Sequence, residues 1–418
     1  MADIMEFATF DGSMCGERAV EDEVYIPRVL DIASDLRRRS VFLFGPRQTG
    51  KSSYLRRQLA DTPVLVYNLL DRGLLLRLMA DPTLIRQEIL ARKLRNCLVC
   101  IDEVQKLPEL LDEVHLLIEE QRIRFLLTGS SARKLKRSGT NLLGGRGRDR
   151  VMHPFVYPEV RHQGFSLERM MFNGLLPPHF LSDQPEEDLA AYVDRYLTEE
   201  IAAEGLARNL PAFARFLQTA STVNTRTVNF TNVSNDAQVP RQTVQQWFQI
   251  LKDTLVAFEL EPYTATVKRK AVATPKLYFF DPGVVRTLRR LPRIVPSSAD
   301  FGEFFEHFLF LEVRAWIDYR QPRTTLHFWR STSGFEVDLL LGGATAVEVK
   351  ATERVQEKDL RGLKAIREEK NIARTILVCR EPRPRLVDGI EIMHWTRFLD
   401  ILWGDKLLPR REPTIVRR

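Results

Sequence analysis

Cysteine is scarce. The 418 residues hold four, Cys15, Cys97, Cys100 and Cys379, too few and too scattered for a disulfide framework, so a cross-linked secreted scaffold is excluded and a reducing cytoplasm is expected. Cys97 and Cys100 form a CxxC, but it sits inside the apolar strand pattern NCLVCID with no second ligand pair, which reads as two structural thiols. Long hydrophobic runs are also missing: nothing approaches the about 20 uncharged apolar residues of a spanning helix, and the opening MADIMEFATFDGSMCGE is acidic with no apolar signal core. The expectation is a cytoplasmic protein with no membrane partner. No repeat or low-complexity tract is present to narrow the function.

What is there is an ordinary globular composition, 44% hydrophobic and 28% charged, well away from disorder. The length exceeds what one core serves, since cores stop growing at roughly 250–300 residues, so two or three domains are expected. Lysine plus arginine number 62 against 55 acids, a net charge of +7, which makes an anionic partner such as nucleic acid or acidic lipid plausible.

The apolar run Val41–Phe44 feeds GPRQTGKSS, residues Gly45, Pro46, Arg47, Gln48, Thr49, Gly50, Lys51, Ser52 and Ser53. This fits G-x-x-x-x-G-K-[ST]: glycines let successive N–H groups and the following helix N-terminus face phosphate oxygens, Lys51 reaches the β and γ phosphates, and Ser52 ligates Mg2+. A second apolar run, Leu98–Ile101, ends in Asp102 and Glu103. Asp102 would hold the magnesium through water and Glu103 would polarise the attacking water, so hydrolysis of ATP is expected as well as binding. A third run, Ile123–Leu127, ends in Thr128 and Ser130, placed to sense the γ phosphate or orient water, although Thr128 could equally cap a strand turn. Strands at 64–70, 98–101 and 123–127 alternate with helical patterns after Lys51, at 84–94 and at 107–120, which predicts a parallel sheet flanked by helices. The segment Leu142–Arg150, LLGGRGRDR, reads as a glycine-loosened loop dense in arginine, able either to project an arginine toward a neighbouring subunit's γ phosphate or to stay solvated.

On YIPR (Tyr25–Arg28), FGPRQTGKS, CIDEVQKLPEL, LLTGSSARKL, LLGGRG followed by PFVYPEV, and NGLLPP, the chain resembles the AAA-type ATPases (AAA_14) that precede a DUF4143 domain in bacteria and archaea. The resemblance runs in order over most of the chain. It implies an α/β fold: a P-loop AAA+ parallel sheet with helical lid, a winged-helix-like middle segment and a C-terminal restriction-endonuclease-like α/β domain. It also implies ATP and Mg2+ as cofactors and a homo-oligomer, for which a hexamer is the form the resemblance suggests. GGRGR departs from the single glycine and arginine usual in that family, so either Arg146 or Arg148 answers to the finger.

The expected domains are the ATPase core at 1–160, a lid and connector at 161–210, a winged-helix-like module at 211–290, a nuclease-like domain at 298–404 and a basic tail at 405–418. In the middle, Tyr192 and Tyr196 lie four residues apart on what reads as a core stripe. From Asn229 a short helix, a turn and a helix opened by Val239-Pro240 make a helix-turn-helix pattern. Val244, Trp247, Phe248, Leu251 and Leu255 would face its core, while Arg241, Gln242 and Gln246 are the candidate DNA contacts, though the thin positive charge suits an oligomer contact nearly as well.

Near the end, FGEFFEHFLFLEVRAWIDY is an amphipathic helix carrying Glu306 and Glu312, followed by strands HFWR, FEVDLLL and AVEVK. Asp338, Glu348 and Lys350, with Glu306 from the helix, match the PD-(D/E)xK nuclease pattern, with Val337 where a proline is usual. Such carboxylates could hold a divalent metal against a scissile phosphate, or the domain could have kept the fold only to bind DNA or dock. The combined reading is an ATP-hydrolysing, ring-forming motor on duplex or branched DNA, of helicase or branch-migration type. The alternatives are an ATP-gated metal-dependent endonuclease in defence against foreign DNA, and a regulatory ATPase switch binding a protein partner.

Overall fold

The computed structural model describes residues 25–58, 64–131, 133, 145–200, 209–369 and 371–408. Cys15, Leu142–Gly144 and the basic stretch 409–418 lie outside them. The chain falls into two compact units, the first Met1–Phe155, Leu176–Pro178 and Gln249–Val256, the second Val156–Leu175, His179–Phe248 and Ala257–Arg418.

The first unit is a five-stranded sheet of β1 (Ser40–Phe44), β2 (Val64–Asn68), β3 (Leu98–Asp102), β4 (Arg124–Gly129) and β5 (Gly147–Val151) in the order β2-β3-β4-β1-β5. Every pairing is parallel. Parallel neighbours need crossover connections, supplied here by α1 (Lys51–Gln58), α2 (Arg72–Ala80), α3 (Leu84–Ala91) and α4 (Leu110–Gln121). Because helices cover the sheet, its inner strands read as unbroken apolar runs, and Phe42, Ile101, Phe125 and Leu127 share one core with Ile85, Ile89, Val114 and Leu117 of the helices.

One element corrects the sequence reading. GRDRV, taken as part of an arginine-rich loop, is the edge strand β5, registered from Gly147 opposite Ser40 to Val151 opposite Phe44. An edge strand half open to water carries no apolar alternation, which is why periodicity missed it. Alternate residues share a face, and Arg148 and Arg150 both reach the buried Asp35, at 2.6 Å and 2.5 Å.

In the second unit α5 (Leu210–Thr222), α6 (Phe230–Ala237) and the part of α7 (Arg241–Asp253) up to Phe248 form a helical cluster. Phe216 contacts Trp247 and Phe248 at 5.2 and 5.0 Å between ring centres, and Phe230 contacts Phe248 at 5.7 Å. Between α6 and α7 the chain reverses through Gln238, whose φ is 55°. A hairpin of β6 (Ala257–Leu260) and β7 (Lys276–Phe279) follows, then α8 (Pro282–Leu288) and the long α9 (Ala299–Arg320). The last sheet contains β8 (Leu326–Arg330), β9 (Glu336–Leu341), β10 (Thr345–Val349), β11 (Arg374–Cys379), β12 (Arg385–Val387) and β13 (Ile390–His394), ordered β12-β13-β11-β10-β9-β8. It is mixed: β8, β9 and β10 are antiparallel, whereas β10, β11 and β13 run parallel. Among the described residues no helix is long and apolar enough to cross a membrane.

Glu312, one of the two acids read on α9, is a structural group. It is 1% exposed, and its two oxygens accept from the Tyr157 N–H and from Trp403 Nε1, each at 2.7 Å. Burial nevertheless dominates and pushes its carboxyl up to about 8. A raised carboxyl binds its proton more tightly folded than unfolded, so Glu312 costs stability increasingly as pH rises from the ordinary carboxylate range toward 8. Between pH 5 and 8 the wild type is expected to lose stability in urea melts, and Glu312→Gln to flatten that slope; equal slopes in both proteins would refute the assignment.

Candidate functional site

The phosphate loop leaves β1 at Phe44 and closes onto α1. Gly45 lies so close to the chain after β5 that a Cβ there would sit 2.5 Å from the Met152 carbonyl oxygen, and Gly50 holds φ at 88°, where a side chain is strained. Thr49 bonds back to the Pro46 carbonyl at 2.9 Å. Lys51 is buried, and its Nζ donates to the Gly45 and Pro46 carbonyls at 2.7 and 3.0 Å. Burial lowers its ammonium to about 8 against the pull of Glu103 and Asp102. The loop also has a brace that motif reading did not single out: Arg28 donates to the Thr49 carbonyl at 2.5 Å and to the His153 carbonyl at 2.6 Å, with its guanidinium 5.1 Å from the Phe155 ring centre. Ser52, the magnesium ligand of the sequence reading, is exposed at the start of α1.

The acid pair stands on the same sheet edge. In the parallel register Phe44 lies opposite Gly129, and Asp102 ends β3 one position past the Ile101–Leu127 pair. The Thr128 hydroxyl donates to Asp102 Oδ1 and lies 3.4 Å from the Glu103 N–H, so Thr128 positions the acid. Glu103 sits in the left-handed region with φ 60°, uncommon for a residue with a side chain and typical of functional sites. Gln105, unremarked in the sequence, donates from Nε2 to Glu103 Oε2 at 2.5 Å and to Ser130 Oγ at 3.1 Å. Its position two residues beyond the acid pair was the available signal. These residues fit a nucleotide with magnesium: an ammonium, a left-handed glycine, a helix N-terminus and a carboxylate converge on one edge.

Both finger candidates are engaged within the first unit. Arg146 pairs with Glu119, both half exposed, while Arg148 is anchored on Asp35. Arg146 immediately precedes β5 and Arg148 is near its start, at the sheet end away from the phosphate loop. On α7, Arg241, Gln242 and Gln246 are exposed, whereas Val244, Phe248 and Leu251 are buried.

The C-terminal acids also come together. Residues 347 and 339 are opposed across β10 and β9, which places Glu348 next to Asp338. Asp338 Oδ2 accepts the Val349 N–H at 2.8 Å, and Glu348 pairs with Lys350 at 2.6 Å. Burial, followed by the neighbouring Asp338, raises the Glu348 carboxyl well above the ordinary range. Glu306 joins them from α9, raised to about 7 chiefly by burial. Sequence reasoning missed the group at the centre: Lys276 of β7, with Nζ 2.7 Å from Glu336, 3.1 Å from Glu306 and 3.6 Å from Asp338. Burial alone would lower this ammonium, but Glu306, Tyr278, Asp338 and Glu336 together carry it well above the ordinary lysine value. A resident divalent cation does not fit this arrangement. It needs carboxylate oxygens converging at about 2.0–2.6 Å, and here Glu306, Glu336 and Asp338 face a buried ammonium while Glu348 is held by Lys350. Among the described residues no group of three or more His, Cys, Asp or Glu is placed to hold a metal ion.

Comparison with known families matches an AAA domain at residues 37–161, a domain of unknown function (DUF8612) at 164–294 and a domain of unknown function (DUF4143) at 301–398. The uncharacterized proteins Mb2031c of Mycobacterium bovis and Rv2008c of Mycobacterium tuberculosis are each 25% identical over 339 residues, 77% of this chain and 74% of theirs. Two solved structures are similar at TM-scores from which no argument follows. The Aeropyrum pernix Orc1 protein in complex with DNA has 14% identity over 65% of this chain and 95% of that one, at 0.24. The Pyrococcus horikoshii STAND protein PH0952 has 12% identity over 73% of this chain and 54% of that one, at 0.21. The AAA match falls on the parallel sheet that bears the phosphate loop and the DUF4143 match on the mixed sheet, so the chain carries an AAA-type P-loop domain followed by a C-terminal DUF4143 domain.

Proposed function

We propose that the chain binds and hydrolyses ATP and uses the cycle to act on duplex or branched DNA, as a ring-forming motor of helicase or branch-migration type. The observation that carries the reading is the convergence of Lys51, Asp102, Glu103 and Thr128 on one edge of the parallel sheet. In this reading Lys51 exchanges its two loop carbonyls for β and γ phosphate oxygens. Magnesium, held by Ser52 and through water by Asp102, would supply neutralisation of phosphate charge. Glu103 exchanges the Gln105 amide for the attacking water, so Gln105 sets how readily the base is released. Arg146, with its half-exposed partner, is the arginine freer to leave for a neighbouring subunit. The exposed Arg241, Gln242 and Gln246 are the proposed DNA contacts; their support is the helix-turn-helix arrangement of α6 and α7 and the net charge of +7.

Two measurements test this. Glu103→Gln is expected to retain ATP binding while turnover falls about a hundredfold or more, so that the variant holds ATP through gel filtration. Replacing Arg241, Gln242 and Gln246 with alanine is expected to leave basal hydrolysis intact and to weaken DNA binding. If the wild type neither shifts any duplex or branched DNA at low salt nor hydrolyses ATP faster in its presence, the DNA part fails and a switch acting on a protein partner takes its place.

A further inference from the structure

The acid cluster of the C-terminal domain already contains a cation, and it comes from another module. Lys276 ends the β6–β7 pairing, opposite Leu260, and the segment that joins the two strands bridges to the last sheet at Pro262–Phe328 and Ala271–Ser331. The lysine is 3% exposed. Its ammonium lies among carboxylates of three residues on two elements, Glu306 on α9 and Glu336 and Asp338 on β9, and 5.4 Å from the Phe328 ring centre. Two residues on, Tyr278 shares its strand face and donates its hydroxyl to Glu306 Oε1 at 2.7 Å. Asp338 spends its other oxygen on the backbone N–H of Val349. One buried acceptor is left over, Glu348 Oε2, while Glu348 Oε1 is held by Lys350.

We infer that the Lys276 ammonium occupies the position that a divalent metal would take in a nuclease of this fold, so that the acid cluster is a metal-independent latch between the β6–β7 hairpin and the nuclease-like sheet. The reasoning is geometric and electrostatic. A lysine head is a compact point charge, and here it donates to Glu306 at 3.1 Å and pairs with Glu336 and Asp338 at 2.7 and 3.6 Å. A divalent ion brought to the same oxygens would meet a fixed positive charge that burial prevents from swinging away. The consequence is a domain whose acid cluster supports no metal-dependent strand cleavage. This inference does not depend on the reading of the ATPase site.

The test is Mn2+ binding by the full-length chain without nucleotide, followed by electron paramagnetic resonance, for wild type, Asp338→Asn, Lys276→Met and the double variant. The expected result is that wild type and Asp338→Asn bind the same amount of Mn2+. Lys276→Met should gain a bound ion that the double variant loses. Wild-type Mn2+ binding that Asp338→Asn removes would overturn the inference, as would a folded Lys276→Met that gains no ion. Should Lys276→Met fail to fold, the comparison of wild type with Asp338→Asn decides alone, and Lys276→Arg, which keeps the charge, is expected to fold and to bind no additional Mn2+.

Discussion

Lys51→Ala is expected to abolish ATP binding at micromolar nucleotide and to reduce hydrolysis by about 10²–10³-fold or more. The lysine is the buried cation of the phosphate loop, within 2.7–3.0 Å of two loop carbonyls, and removing it takes away the ammonium that would meet the β and γ phosphates. The same burial keeps the defect separable from folding. Because its ammonium is lowered from 10.5 to about 8, the charged form is disfavoured in the folded state. That cost is fully present below about pH 8 and is released as pH rises from there toward the unfolded value. Alanine removes the cost, so the nucleotide-free variant is expected to melt no lower than wild type at pH 7. Calorimetric ATP titration alongside thermal unfolding reads both quantities. Undiminished ATP affinity in Lys51→Ala would dispose of the phosphate-loop assignment, and with it the ATPase reading.

Lys276→Met is expected to produce the largest loss of stability from any single polar side chain of the C-terminal cluster, about 3–5 kcal/mol, the range for removing one partner of a buried ionic group. Methionine fills much of the same volume, so the loss reports charge rather than a cavity. Glu306, Glu336 and Asp338 would then face one another with their shared ammonium gone. Burial raises the Glu306 carboxyl to about 7 even with its lysine present, so protonating it removes its share of the repulsion and the deficit is expected to shrink as pH falls through and below about 7. Urea unfolding at pH 8 and pH 5.5 measures the difference. A variant as stable as wild type at pH 8 would show that the ammonium contributes nothing net, and the latch would be only a coincidence of packing.

How much of this was legible in the sequence depended on how local the signal was. GPRQTGKSS is a loop whose motif is written in the spacing of nine residues, and β1, β3 and β4 are apolar runs because helices cover a parallel sheet. The helix-turn-helix was legible for the same reason, through the spacing of Val244, Phe248 and Leu251. β5 was not, because an edge strand written GRDRV has no periodic apolar face, and Arg148 was therefore taken for a free loop residue when Asp35 holds it. Gln105 was passed over because a glutamine after two acids has no distinctive pattern until the neighbouring strand brings Ser130 beside it.

The sequence by itself determined the glycine-rich loop, the acid pair, the order of modules and the presence of Asp338, Glu348 and Lys350 on or just after neighbouring strands, since each follows from residue type at short range. Only the tertiary structure decided what those acids face. Lys276 lies in a different module, at the head of an unremarkable strand KLYF, and long-range folding of the β6–β7 hairpin against α9 and β9 carries its charge into the cluster. Coulomb energy in a buried site depends on distance in space and on the exclusion of water, and neither quantity is written in the separation of residues along the chain.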